Sequence, residues 1–113
     1  MREPTYFILT ALLEAPRHGY MIIKRVRELS DQRVHLATGT IYAALERLTT
    51  ERLIEVVKEE TVNGRARRHY GLTDDGATAL RAEALHMARS ANLVLGHRLD
   101  TIPPTTTETV LPA

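Results

Sequence analysis

The chain has 113 residues, enough for one domain, with 43% hydrophobic and 26% charged residues and a net charge of +1. It has no cysteine, which excludes disulfides, thiolate metal sites and cysteine nucleophiles. A net charge this small excludes a polycation, so any affinity for nucleic acid must come from local clusters, and the sequence offers Lys24-Arg25-x-Arg27 and Arg65-x-Arg67-Arg68.

No apolar run approaches the roughly 20 residues that span a bilayer. The opening Met1-Arg2-Glu3-Pro4 leads into a brief apolar run and no small-residue cleavage site. The expectation is a cytoplasmic protein with no membrane partner.

Pro4 suits a first helical turn, where its missing N–H costs nothing. Ile8, Leu9, Leu12 and Leu13 then make an apolar stripe that Pro16 stops, which predicts helix one. His18-Gly19 is a tight entry into helix two. There Ile22, Ile23, Val26 and Leu29 face inward, Tyr20, Lys24, Arg27 and Glu28 face outward or flank, and Ser30-Asp31 ends the helix. Val34-His35-Leu36 reads as a very short strand.

Thr38 is expected to cap helix three, which runs to about Thr50. Ile41, Ala44, Leu45 and Leu48 recur at i, i+3, i+4 and i+7, the spacing of a buried face. The reverse face carries Gly39, Ala43, Glu46 and Thr50, flanked by Thr40, Tyr42 and Arg47. Solvated helix faces are usually rich in Lys and Glu. This one is short, polar and mostly small, so it can approach another surface closely.

Leu53–Glu59 is β-branched and partly alternating, which predicts a strand. Asn63-Gly64 favours a tight turn because both residues tolerate positive φ. Residues 67–72 are the return strand of this hairpin, or wing. Thr73 is expected to cap a last helix, with Asp74 and Asp75 at its positive dipole end. Along it Ala77, Ala84 and Ala91 alternate with Leu80, Met87 and Val94 at heptad spacing, a small-and-large seam suited to close helix pairing. Residues 101–113 have no periodicity and little to bury, and are expected to be disordered.

Helix, helix, helix, hairpin is the order of a winged helix-turn-helix. The second helix of the pair enters the major groove and the first crosses the backbone. The fold class expected is therefore mainly α with a small β-hairpin. It comprises a DNA-binding domain over 1–73, a C-terminal dimerisation helix over 74–100 and a tail over 101–113. Arg65, Arg67 and Arg68 fall around the hairpin tip, where they can neutralise phosphates, although Glu59 and Glu60 are near enough to pair with them. Tyr20 and Lys24 fall on the crossing helix.

The pieces His18-Gly19-Tyr20-x-Ile22, Gly39-Thr40-Ile41-Tyr42-x-Ala44-Leu45-x-x-Leu48, Leu53-Ile54, Gly64-Arg65-x-Arg67-Arg68-x-Tyr70-x-Leu72-Thr73 and Gly76 resemble the PadR-like transcriptional regulators. The resemblance covers residues 4 to about 98 in order. It implies a bacterial homodimer, paired through its C-terminal helices, that represses by binding a palindromic operator. By position Tyr20 and Tyr42 look like phosphate contacts, Thr40 looks groove-facing, and Arg65 with Arg67 looks like the wing contact. Arg52 stands where the family usually ends helix three with glycine. The family's drug sensors stack flat ligands on tryptophan, whereas this chain has none. Any small-molecule effector is therefore of open identity.

The DNA-contact set expected is Tyr20, Lys24, Thr38, Gly39, Thr40, Tyr42, Ala43, Arg47, Arg65, Arg67 and Arg68. The partners expected are double-stranded DNA and a second copy of the chain. The rival reading is a protein-interaction winged helix whose basic face binds an acidic partner. Enzyme chemistry finds no support: there is no nucleophile–base–acid arrangement and no G-x-G-x-x-G pattern among the six glycines. His86 and His97 share a helix face, but two histidines without clustered carboxylates do not make a metal site, and no metal or cofactor is expected. His69 is read only as added polarity on the wing.

Overall fold

The computed structural model describes residues 1–98, 100 and 102–105. In chain order it contains α1 (Glu3–Glu14), β1 (Arg17–His18), α2 (Gly19–Leu29), α3 (Thr38–Thr50), β2 (Ile54–Val62), β3 (Arg65–Leu72) and α4 (Asp74–Leu95). The three strands form one antiparallel sheet in the order β1-β3-β2.

Three helices converge on one core. Ile8, Leu9 and Leu12 from α1, Ile22 and Val26 from α2, and Ile41, Leu45 and Leu48 from α3 are buried together. Each such side chain contributes about 1.5–3 kcal/mol by leaving water. Ile54 and Tyr70 anchor the sheet to this core. Leu13, expected in the stripe, is instead 60% exposed. It lies one residue beyond Leu12, about 100° further round the helix, and lines a shallow groove between α1 and α4.

The hairpin forms as its turn chemistry dictates. Asn63 at φ 52° and Gly64 at φ 76° supply the two positive angles of a two-residue turn, and Val62 pairs with Arg65 across it. The register slips at Val57, a bulge between Val56 and Lys58. Thr73 caps α4: its hydroxyl accepts from Gly76 N–H at 2.9 Å and donates to the Arg52 carbonyl at 2.7 Å.

Two local expectations need correction. Residues 34–36 form no strand, because Val34 N–H is taken by the Ser30 hydroxyl at 2.9 Å. The β3 edge belongs instead to Arg17 and His18, which pair with Tyr70 and His69. Thr38 is not the cap of α3. Ile41 N–H donates to the Ala37 carbonyl at 3.0 Å, so Ala37 takes the cap position and offers no side-chain acceptor.

The seam on α4 divides. Leu80 is buried in the core, and Ala77 and Ala84 line the groove against α1. Met87, Ala91 and Val94 remain exposed further along, with Leu85, Leu93 and Leu95 beside them. The tail expected to be disordered falls mostly outside the described residues. Residues 102–105 carry no regular structure.

Candidate nucleic-acid interface

Burying Ile41, Leu45 and Leu48 leaves Gly39, Thr40, Ala43, Glu46 and Thr50 exposed on the other side of α3. Nothing lies within 4 Å of where a Gly39 Cβ would be. The reverse face is thus slim and open, as its sequence requires.

Beside it lies a cleft of about 800 Å³ between the start of α2, the Tyr42 ring and the wing. Tyr42 is 52% exposed and Tyr20 71% exposed, so both phenols are available at the surface. Gly19 is buried under Tyr42. A Cβ there would come within 3.2 Å of Cε1, Cζ and Oη of that ring. The other wall is β3 and the hairpin tip, where Arg65, Arg67 and Arg68 are exposed.

The structure sorts the basic residues by their partners. Among the described residues Arg65, Arg67 and Lys24 have no carboxylate within ion-pair distance, so their charge is available to an incoming anion. Arg68 donates from Nε to Glu59 at 2.8 Å, and that hydrogen bond raises its pKa. Its charge is compensated in the free protein. Arg25 donates two hydrogen bonds of 2.7 Å to Glu14, holding that carboxyl below its ordinary range, with Arg17 adding to the effect. Arg27 donates to Gln32 at 2.7 Å. Of the run Lys24-Arg25-x-Arg27, Arg25 is paired with carboxylates, Arg27 is held by the neutral Gln32 amide with its charge uncompensated, and Lys24 has neither kind of partner.

Tyr20, Tyr42, Arg65, Arg67 and Arg68 are therefore brought together around one cleft. Thr38, Gly39, Thr40 and Ala43 are exposed along α3 next to it. Arg47 does not join them. Its guanidinium donates to the Thr5 hydroxyl at 3.1 Å and lies 3.6 Å from Glu51, at the junction of α1 with the end of α3.

The sequence reading missed His18. Its ring lines the cleft and packs edge-to-face on His69, with centroids 5.4 Å apart. His18 Nδ1 accepts from Met21 N–H at 3.4 Å and caps α2. His69 is correspondingly more than wing polarity, since its Nε2 lies 2.7 Å from a Glu60 carboxylate oxygen. Burial holds His18 below its ordinary pKa, and Arg67 and His69 push the same way against a smaller opposing pull from Glu60. Neither contact has a sequence signal beyond the adjacency of His18 to a glycine, because the two histidines are 51 positions apart and meet only through the two-residue strand β1.

A paired-helix core, an exposed small-residue helix and a basic hairpin together define the winged helix-turn-helix class. Residues 8–82 match the family described as the transcriptional regulator PadR-like family. That match covers most of the chain, and the chain belongs to this family. It is a family of transcriptional regulators.

Transcriptional regulator Rv3488 of Mycobacterium tuberculosis is 37% identical over 70 residues, 62% of this chain and 64% of that protein. A PadR family transcription regulator from Clostridium difficile R20291 superposes with a TM-score of 0.67 at 27% identity, over 83% of this chain and 99% of that one. Bacillus subtilis PadR, solved in complex with operator DNA, superposes with a TM-score of 0.66 at 25% identity, over 95% of this chain and 55% of that one. The chain spans between 24% and 67% of the length of the curated relatives it matches. Among the described residues no helix is long and apolar enough to cross a membrane.

Proposed function

We propose that this chain is a DNA-binding regulator that acts as a homodimeric repressor on an inverted-repeat operator. In this reading α3 enters the major groove, with Gly39, Thr40 and Ala43 against base edges and Thr38 at the mouth of the groove. Tyr20, Lys24 and Tyr42 meet phosphates. Arg65 and Arg67 reach the flanking backbone or minor groove, joined by Arg68 once it exchanges Glu59 for a phosphate. Residues 1–73 make these contacts, and α4, which ends at Leu95 rather than running on to residue 100 as the sequence led one to expect, pairs two copies.

Pairing falls to the far part of α4, because Leu80 is already committed to its own core. A 22-residue helix is about 33 Å long; Met87 still lines a shallow pocket with Tyr6 and Phe7 of α1, and the exposed Ala91 and Val94 follow one and two turns further along. Two-fold pairing there sets the two α3 helices on half-sites about 34–36 Å apart, or a multiple of that.

The observation that carries the reading is the cleft itself. Two arginines without acidic partners and two exposed tyrosines converge beside a helix face too slim to have been shaped by solvation alone. The Bacillus subtilis relative solved with operator DNA supports it.

The test is to sequence the DNA that purified protein retains from fragmented host genome, alongside sedimentation at micromolar concentration. Enrichment of a short inverted repeat with a dimeric species supports the reading. A monomer, or retention of DNA without any shared site, counts against it.

A further inference from the structure

We propose that His18 is a further contact to the DNA phosphate backbone, and that its imidazole takes up a proton when the duplex enters the cleft. The inference rests on the DNA-binding reading above and adds to it a residue and a proton.

The backbone fixes where the ring can go. Pairing of β1 with β3 sets His18 opposite His69, and the start of α2 sets it beside Gly19. The imidazole is half-buried and opens on the same cleft as Tyr42, Arg65 and Arg67. From β3, His69 and Arg67 face it. From β2 comes Glu60, bonded to His69 and 3.6 Å from Lys58. Tyr20 on α2 and Tyr42 on α3 complete the surround.

In the free protein this setting disfavours the charged ring. Burial penalises the imidazolium first, and Arg67 and His69 repel it. A phosphodiester beside Arg67 reverses that balance, because its negative charge sits where the repulsion was strongest felt. Partial burial, which penalises a lone imidazolium, strengthens one paired with a phosphate. Protonation of Nδ1 gives up the bond from Met21 N–H. At 3.4 Å that bond is already long, so losing it costs less than a charge-assisted contact gains.

Folded free protein disfavours the charged ring and bound protein favours it, so binding consumes protons and affinity rises as pH falls. Linkage puts the change at about tenfold between pH 8 and pH 6. The experiment is a fluorescence-anisotropy titration of the enriched genomic fragment at pH 6 and pH 8 and constant ionic strength. It compares wild type with His18→Asn and His69→Gln. Asparagine is a good helix cap and keeps α2 started while removing the titrating ring.

Wild type should bind about tenfold more tightly at pH 6, His18→Asn should lose most of that difference, and His69→Gln should keep it. A pH difference that survives in His18→Asn, or that disappears only in His69→Gln, overturns the proposal. Imidazole NMR on the wild-type chain gives a reading that needs no variant. The His18 ring should titrate at higher pH with DNA than without, and an unmoved titration overturns the proposal. Wild type that binds DNA at pH 8 but shows no pH dependence sinks this inference alone. Wild type that binds at neither pH sinks the DNA reading and this inference with it.

Discussion

Gly19 at the start of α2 lies directly beneath the ring of Tyr42 on α3, close enough that an added Cβ would sit 3.2 Å from the phenol oxygen. The contact ties the phenol to the N-terminus of the crossing helix. It couples the two helices of the DNA-binding pair at the point where a phosphate would arrive.

A methyl group at Gly19 tests that coupling. The Tyr42 ring is half-exposed and can move by a few tenths of an ångström, so Gly19→Ala should change stability by less than about 1 kcal/mol. It should nonetheless weaken DNA binding about as much as Tyr42→Phe, several-fold for the loss of one hydrogen bond. Thermal melts and anisotropy on the same samples separate the two effects. A large fall in melting temperature with unchanged affinity would reverse the roles assigned to these residues.

The wing arginines should separate by their free-state partners. Two subunits with about four phosphate contacts each give a slope of log K against log salt near −7. Arg65→Ala and Arg67→Ala should each flatten it by roughly 0.9 per lost contact and weaken all sequences alike. Arg68→Ala should do less, since Arg68 must first leave Glu59. If Arg65→Ala changed base preference and left the slope alone, the wing would be reading bases.

Gly76→Ala probes the joint between α4 and the core. A Cβ there would fall 2.0 Å from the Leu53 carbonyl oxygen and 2.9 Å from its carbon, both backbone atoms. The joint cannot yield cheaply, so the variant should lose about 3 kcal/mol or more. Calorimetry would show it as a large drop in melting temperature, and a near-normal melt would mean that the start of α4 is not seated on the Leu53 backbone between α3 and β2.

Arg52→Gly should act in the opposite direction. Arg52 sits at φ 60° just past α3, where Leu53 N–H reaches back to Leu48 carbonyl at 3.0 Å and its own N–H to Thr49 carbonyl at 3.0 Å. Glycine is the residue this helix end favours, because it has no Cβ to strain at positive φ. The variant should gain about 0.5–1 kcal/mol, a rise of a few degrees in melting temperature, with DNA affinity unchanged. A loss of stability would mean that the arginine side chain makes a compensating contact in solution.

The elements that announced themselves in sequence are those built from local rules. Asn63-Gly64 dictates its own turn, Thr73 its own cap, and the periodicity of Ile41, Leu45 and Leu48 fixes which side of α3 is exposed. The misreadings come from competition that only the folded chain reveals. Val34 to Leu36 are apolar enough for a strand, but Ser30 takes the Val34 N–H and β1 already occupies the sheet edge. Two residues cannot display an alternation, so β1 carries no pattern to find. Side-chain pairing was legible only in part. Glu59 and Glu60 stood near enough in sequence to pair with the wing arginines, and Arg68 takes Glu59, whereas that Arg47 turns to Thr5 and Arg25 to Glu14 depends on rotamers and neighbours from other elements.

The central claim is that α3 and the wing read duplex DNA together. The most direct measurement is the ratio of dissociation constants for the enriched inverted repeat and for a scrambled duplex of equal length, taken at near-physiological salt. A preference of about 10³ or more is expected, reduced by changing Thr40 or Ala43. Equal affinity for the two duplexes would contradict it.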